Sequence, residues 1–169
     1  MPALSNHIII EAPADAVWEV VGHQFGHIGQ WATAIPASTT DCSAPSTAGA
    51  PVAGRVCQTG IRLISEVTET IVAYDETGRT LTYEATAGMP AFVTKARNRW
   101  QVTALDGQRT DVAFEAQVEV RGLLGRAVRW WILAQAGHEG RHILDDLKHY
   151  VEHSAPCPRK QQQLSRARR

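Results

Sequence analysis

Ile8-Ile9-Ile10-Glu11-Ala12-Pro13-Ala14-Asp15-Ala16-Val17-Trp18-Glu19-Val20-Val21 decides the fold, and Phe25-Gly26-His27-Ile28-Gly29-Gln30-Trp31 follows closely. The isoleucines belong to an apolar strand that ends at Ala12. Pro13 opens a helix, because a first-turn residue has no use for the N–H that proline lacks. Ala14, Val17, Trp18 and Val21 recur at three- and four-residue spacing and give that helix one apolar face. Gly22 is expected to stop it. A second short helix ends in Trp31, near Pro36.

Outward from this opening, strand 1 spans about 5–12 and the short helices about 13–22 and 25–31. Residues 37–43 read as a strand, and 44–51 form a loop rich in proline, glycine, alanine and serine. Long strands are expected at 54–59, 62–74, 80–87, 92–104 and 110–120. Asp75-Glu76-Thr77-Gly78 and Asp106-Gly107 are turn signals, so neighbouring strands pair as antiparallel hairpins. A last helix covers about 123–153. The fold class is therefore α+β, with six or seven antiparallel strands, two short helices after strand 1 and one long final helix.

Strand alternation says which side chains face inward. Lys95, Arg97 and Arg99 share one face of their strand, and Ala96, Asn98, Trp100 and Val102 share the other. Asp111, Glu115 and Glu119 lie opposite Val112, Phe114, Ala116 and Val118 in the next strand. The basic and acidic rows are placed to pair across strands on the wet side. By the same rule Leu81, Tyr83, Ala85 and Ala87 face in, as do Leu63, Val67, Ile71 and Ala73 with Ser65 and Glu69. An inward wall of small residues mixed with Trp100, Tyr83 and Phe114 fits either plain core packing or a ligand cavity lined by aromatics. Glu69 is either an inward polar anchor or acid/base group, or is turned out by a bulge, or pairs with Arg62 at the rim.

The totals bound the class. One domain of 169 residues, 44% hydrophobic and 20% charged, is long enough for a sizeable core and fits a soluble globular protein. No segment reads as a membrane span or a signal peptide, so a cytoplasmic location is expected. Cys42, Cys57 and Cys157 lack paired spacing and read as reduced thiols. The net charge of zero hides an asymmetry: residues 154–169 carry five basic and no acidic side chains, leaving 12 basic and 17 acidic in the rest. With Pro156, Pro158 and the Gln161–Gln163 run, 154–169 reads as a disordered basic tail beyond a domain at 1–153. The body has no basic patch, so no nucleic-acid partner is expected.

The start Ala12-Pro13-Ala14-Asp15-Ala16-Val17-Trp18, the Trp31 turn, Tyr83 in a middle strand, Glu69-Thr70-Ile71-Val72-Ala73-Tyr74-Asp75 and the ending Leu144…Leu147-Lys148…Val151-Glu152 resemble the START-like, or SRPBCC, superfamily of polyketide cyclase/dehydratase-like proteins. The resemblance covers roughly residues 5–153. It implies a helix-grip fold, a curved sheet wrapped around the C-terminal helix with a cavity for a small hydrophobic ligand, aromatic or polyketide-like. It shifts the inward wall from core towards cavity. Trp31, Trp100, Phe114, Ala96 and Ala116 are then ligand-binding candidates, and Glu69, Asn98 and Tyr83 catalytic ones. A cyclase or dehydratase of this kind needs a held substrate, excluded water and one proton donor or acceptor, and no cofactor. A non-catalytic carrier or sequestering protein would use the same cavity.

His138-Glu139-Gly140-Arg141-His142 matches the zinc-peptidase string H-E-x-x-H, which points to a third reading, a metal-dependent hydrolase. The metzincin continuation fails at Asp145 and Lys148. Helical phase places Leu133, Gly137, Gly140, Leu144, Leu147 and Val151 on the core face and the histidines roughly opposite, where Leu124, Val128, Trp131 and Gln135 continue the histidine stripe towards the N-terminal end. His138, His142, His149 and His153 then face solvent or a second copy of the chain, where they form a surface stripe able to grip nickel or zinc. No catalytic metal is expected.

Overall fold

A computed structural model describes residues 4–43, 46–61 and 64–167, with the backbone alone for 61 and 123–136. Strand β1 (Leu4–Ile10) leads through Glu11 and Ala12 to Pro13, which sits at the cap position (φ −60°, ψ 146°) rather than inside the helix. The Pro13 carbonyl accepts from the N–H groups of Ala16 and Val17 at 3.0 and 3.3 Å, which starts α1 (Ala14–Trp18). The helix does not run on to Gly22 as its apolar spacing suggests. It widens into a π turn over Glu19–His23, closed by Gln24 N–H donating to the Glu19 carbonyl at 2.9 Å. Gly22 is needed there for space rather than as a stop, since a Cβ would drive into the Trp18 indole. A 3-10 helix, Phe25–Gln30, follows and presents Trp31.

Six further strands complete the sheet: β2 (Ser38–Asp41), β3 (Gly54–Ile61), β4 (Ile64–Asp75), β5 (Thr80–Ala87), β6 (Val93–Ala104) and β7 (Thr110–Val120). All seven pair antiparallel in the order β1-β7-β6-β5-β4-β3-β2, so the chain closes on itself by laying β7 against β1. Helix α2 (Gly122–His153) crosses β1 and β7. Its core face is the expected one: Gly140, Leu144 and Leu147 are buried, and Val151 packs against the same core. Gly140 touches Phe114 and Asn6 so closely that a Cβ would displace them. Arg62, Leu63, Leu124, Val128, Trp131, Leu133 and Gln135 lie outside the described side chains. No helix among the described residues is long and apolar enough to cross a membrane.

Two expectations need correction on the sheet. Ala73 is exposed, because register shifts in the β4–β5 ladder, between Thr68 and Glu69 and again between Ile71 and Ala73, break strict alternation and turn Tyr74 inward instead. Ser65 and Ala87 are exposed as well. Lys95 stands opposite Glu119, and Arg99 opposite Glu115, as the charge rows imply. The ion pairs run the other way across β6, however, with Lys95 and Arg97 both reaching Glu84 of β5, at 3.5 and 2.5 Å.

The tail is also corrected. Residues read as disordered form α3 (Pro158–Ala167), and Lys160 is fully buried. Its ammonium donates to the carbonyls of Ile35 and Pro36 at 2.7 and 3.2 Å and to Gln163 Oε1 at 2.7 Å. Asp146 of α2 accepts from the backbone N–H and hydroxyl of Thr33 at 2.7 and 2.6 Å, and from Cys157 Sγ at 3.2 Å. Composition gave no sign of this, because the partners are backbone carbonyls more than 120 residues upstream.

Candidate functional site

The interior polar group is built on β3, β4 and β5. Arg55 and Glu69 stand directly opposite each other in the β3–β4 ladder. Gly54 lets these strands approach, since a Cβ would strike the Glu69 carbonyl. Arg55 Nε donates to Glu69 Oε2 at 2.6 Å, and Arg55 Nη1 donates to the Phe25 carbonyl at 2.9 Å. The guanidinium carbon lies 3.9 Å from the Phe25 ring centre and 4.9 Å from that of Tyr83. Side-chain exposure is 4% for Arg55 and 15% for Glu69. A charge removed from water to this degree needs a partner of opposite sign with good geometry. Here it has a carboxylate, a carbonyl and two aromatic faces.

The electrostatics follow from that packing. Burial works against the charge on Arg55, but the Glu69 carboxylate outweighs it, so the pKa stays above its ordinary value. Burial pushes the Cys57 thiol up to about 12, although Arg55 pulls the other way. Burial, then the Glu69 charge, raises Tyr83 above its ordinary value, so its hydroxyl stays neutral.

The structure brings some of the expected residues together and leaves others apart. Glu69, Tyr83, Trp100 and Trp31 gather around Arg55. Tyr83, Trp100, Phe114 and Ala116 are buried, with Trp100 and Phe114 rings 4.7 Å apart. Trp31 is 3% exposed and lies beside Tyr150 of α2, ring centres 6.4 Å apart. A small recess, with room for about one water-sized group, is lined by Val20, Val21, Gln24, Phe25, Ile28, Trp31, Arg55 and Trp100. Trp31 Nε1 has no hydrogen-bond partner, and it stands out in this among the buried side-chain polar atoms described. Asn98 and Ala96 are not part of this recess. They face in with Ala85 towards the other end of the sheet and are only half-buried, Asn98 between Tyr83 and Ala116 in register.

Arg55, Phe25 and Cys57 were missed in the sequence as site residues. A signal existed for Arg55: it alternates with Cys57, whose apolar character marks the inward face of β3. A lone arginine on a short strand gave no reason to expect burial until Glu69 was placed opposite.

The sequence model of the family described as polyketide cyclase/dehydrase and lipid transport matches residues 1–152. The chain belongs to this polyketide cyclase/dehydrase and lipid transport family. No curated protein matches it. Solved structures show the same fold. A Thermobifida fusca protein determined by NMR is 28% identical, with a TM-score of 0.64 over 90% of this chain and 97% of that one. A START superfamily protein from Mycobacterium smegmatis is 18% identical, with a TM-score of 0.67 over 89% and 97%. The Zhui aromatase/cyclase from Streptomyces sp. R1128 is 15% identical, with a TM-score of 0.68 over 89% and 93%. The START-like helix-grip architecture expected from the opening motif is therefore the architecture of this family member. The interior of this family member holds a buried arginine–glutamate pair and a buried indole N–H without a partner.

Proposed function

We propose that this protein binds a small hydrophobic ligand, aromatic or polyketide-like and bearing an acceptor oxygen, between the concave face of the sheet and α2. The observation that carries the reading is a recess lined by both Trp31 and Arg55 among aromatic side chains, together with a buried Trp31 N–H that has no partner. A buried donor without an acceptor costs about 1–3 kcal/mol, which a ligand oxygen would recover on binding. The recess takes one such group and no more. The ligand body would lie towards Asn98, Ala96 and Ala116, where inward side chains are half-buried or small, against walls formed by Trp100 and Phe114.

The engagement of Glu69 by Arg55 favours holding a ligand over protonating one. The carrier reading is therefore preferred here to the cyclase or dehydratase reading. In the latter, Tyr83 and Asn98 would hydrogen-bond a substrate carbonyl while the interior excludes water, and Glu69 would have to leave Arg55 to move a proton.

The test is native mass spectrometry of untagged protein for a co-purifying ligand, with tryptophan fluorescence titration against a panel of polyphenols, flat polycyclic ketones and fatty acids. Ligands bearing a carbonyl should bind, and Trp31→Phe should weaken them by about 1 kcal/mol while leaving hydrocarbon analogues unchanged. A panel that moves no signal, or Trp31→Phe acting equally on both sets, overturns the reading.

A further inference from the structure

The histidine stripe on α2 contains two pairs at the same four-residue spacing, and their geometries differ. His149 and His153 stack, ring centres 4.3 Å apart and planes 13° apart, and His153 Nδ1 turns back to the His149 carbonyl at 3.1 Å. His138 and His142 instead meet edge to face at 84°, with their Nε2 atoms 3.0 Å apart. His138 is exposed and His142 half-buried, on the side of the helix away from buried Gly140, Leu144 and Leu147. At this separation both Nε2 atoms are within reach of a single cation once neither carries a proton.

We propose that His138 and His142 form a two-histidine chelate for a divalent first-row transition metal, with preference for Cu²⁺ or Ni²⁺ over Zn²⁺. Metal–imidazole bonds of about 2.0–2.1 Å to nitrogens at this separation enclose an angle of about 91–97°, near the 90° cis angle of square-planar and octahedral coordination. Tetrahedral zinc asks for about 109°, hence nitrogens roughly 0.3 Å further apart. The intrinsic order of divalent affinities also favours Cu²⁺. Among the described residues no group of three or more His, Cys, Asp or Glu side chains is placed to hold a metal. Among the described residues none completes the coordination, so in their absence water or an outside ligand would fill the remaining positions. Glu139, which the H-E-x-x-H pattern would use as a base, is one residue off this face. The site reads as an open surface chelate rather than a hydrolytic centre. It is separate from the ligand interior and stands whether or not that reading holds.

The experiment is isothermal titration of the untagged, chelator-treated protein with Cu²⁺, Ni²⁺ and Zn²⁺ salts. The variants are His138→Ala, His142→Ala and the double change His149→Ala plus His153→Ala, with circular dichroism confirming the fold of each. The expected result is one equivalent of Cu²⁺ and of Ni²⁺ bound tighter than about 0.1 mM, with zinc weaker. Either His138→Ala or His142→Ala should weaken binding at least about tenfold, and the His149/His153 variant should leave it unchanged. Electron paramagnetic resonance of the Cu²⁺ form should show a tetragonal site with nitrogen ligation. Binding no tighter than millimolar, zinc preferred over nickel and copper, or equal losses in all three variants would overturn the proposal.

Discussion

At the scale of single residues, Arg55 carries the largest energetic consequence. Removing one member of a buried ion pair leaves the other without its partner in the interior, which costs about 3–5 kcal/mol. Glu69→Ala should therefore destabilise the fold by that amount in denaturant unfolding. The double replacement Arg55→Met plus Glu69→Leu should restore most of it, because neither variant side chain needs a partner. Equal losses in the single and double variants would show that the pair acts through packing alone. Cys57 gives a second test on the same cluster. Its thiol is buried and its pKa is pushed up to about 12, whereas Cys42 is exposed. A disulfide-exchange reagent at neutral pH should label Cys42 in the native state and reach Cys57 only after unfolding.

At the scale of elements, two attachments hold the entry region. The first is at the π turn. His23 is flanked by Glu19 and Glu76 at 2.7 and 2.9 Å, and Tyr74 and Trp18 donate to the far oxygen of Glu76 at 2.5 and 3.1 Å. Hydrogen bonds to the carboxylates of Glu19 and Glu76 raise the His23 pKa above 6.5. The bonds from Tyr74, Trp18 and His23 lower Glu76 to about 2. The sign follows from linkage: the histidine contribution is complete below 6.5 and is lost as pH rises through the raised value. The Glu76 contribution is complete above 4.5 and is lost as pH falls towards 2. Thermal stability should therefore have a component that peaks between about pH 4.5 and 6.5; in His23→Ala its loss above about pH 6.5 should disappear, while the loss below about pH 4.5 persists in part through the Tyr74 and Trp18 bonds to Glu76. Melting curves across pH for the two proteins check this.

The second attachment is α3. Lys160 binds two carbonyls of the Ile35–Pro36 segment, so Lys160→Ala should strand both and cost about 1–3 kcal/mol. Burial lowers its pKa to about 8. The unfolded chain thus holds that proton more tightly, and the penalty is relieved as pH rises from about 8 towards 10.5. Chemical denaturation at pH 7 and pH 9.5 should show the gap between wild type and Lys160→Ala widening with pH.

At the scale of the whole molecule, the fold places an apolar interior against one long helix and, among the described residues, leaves one buried indole donor, that of Trp31, unmatched. If that interior accepts a ligand, Trp100→Ala should weaken binding by about 1–3 kcal/mol through loss of an aromatic wall. Fluorescence titration measures it, and unchanged affinity would remove Trp100 from the site.

Much of this architecture was legible in the chain. Period-two alternation in β5, β6 and β7 placed Tyr83, Trp100, Phe114 and Ala116 inside, and period-3.6 spacing placed Gly140, Leu144 and Leu147 on the core face of α2. The turn residues fixed the antiparallel order of the long strands. These features are local, because a strand or helix exposes its pattern within a few residues. The tertiary structure alone decided the rest. Which charges are buried depends on register across strands, so Glu69 acquired Arg55, fourteen residues away, as its partner. The bulges that turned Ala73 outward leave no local signature. Whether a basic tail is ordered depends on the surface it meets, and the free carbonyls of Ile35 and Pro36 anchor Lys160 from across the chain. Side-chain periodicity is a property of the segment, whereas the pairing of a polar group is a property of what the fold brings beside it.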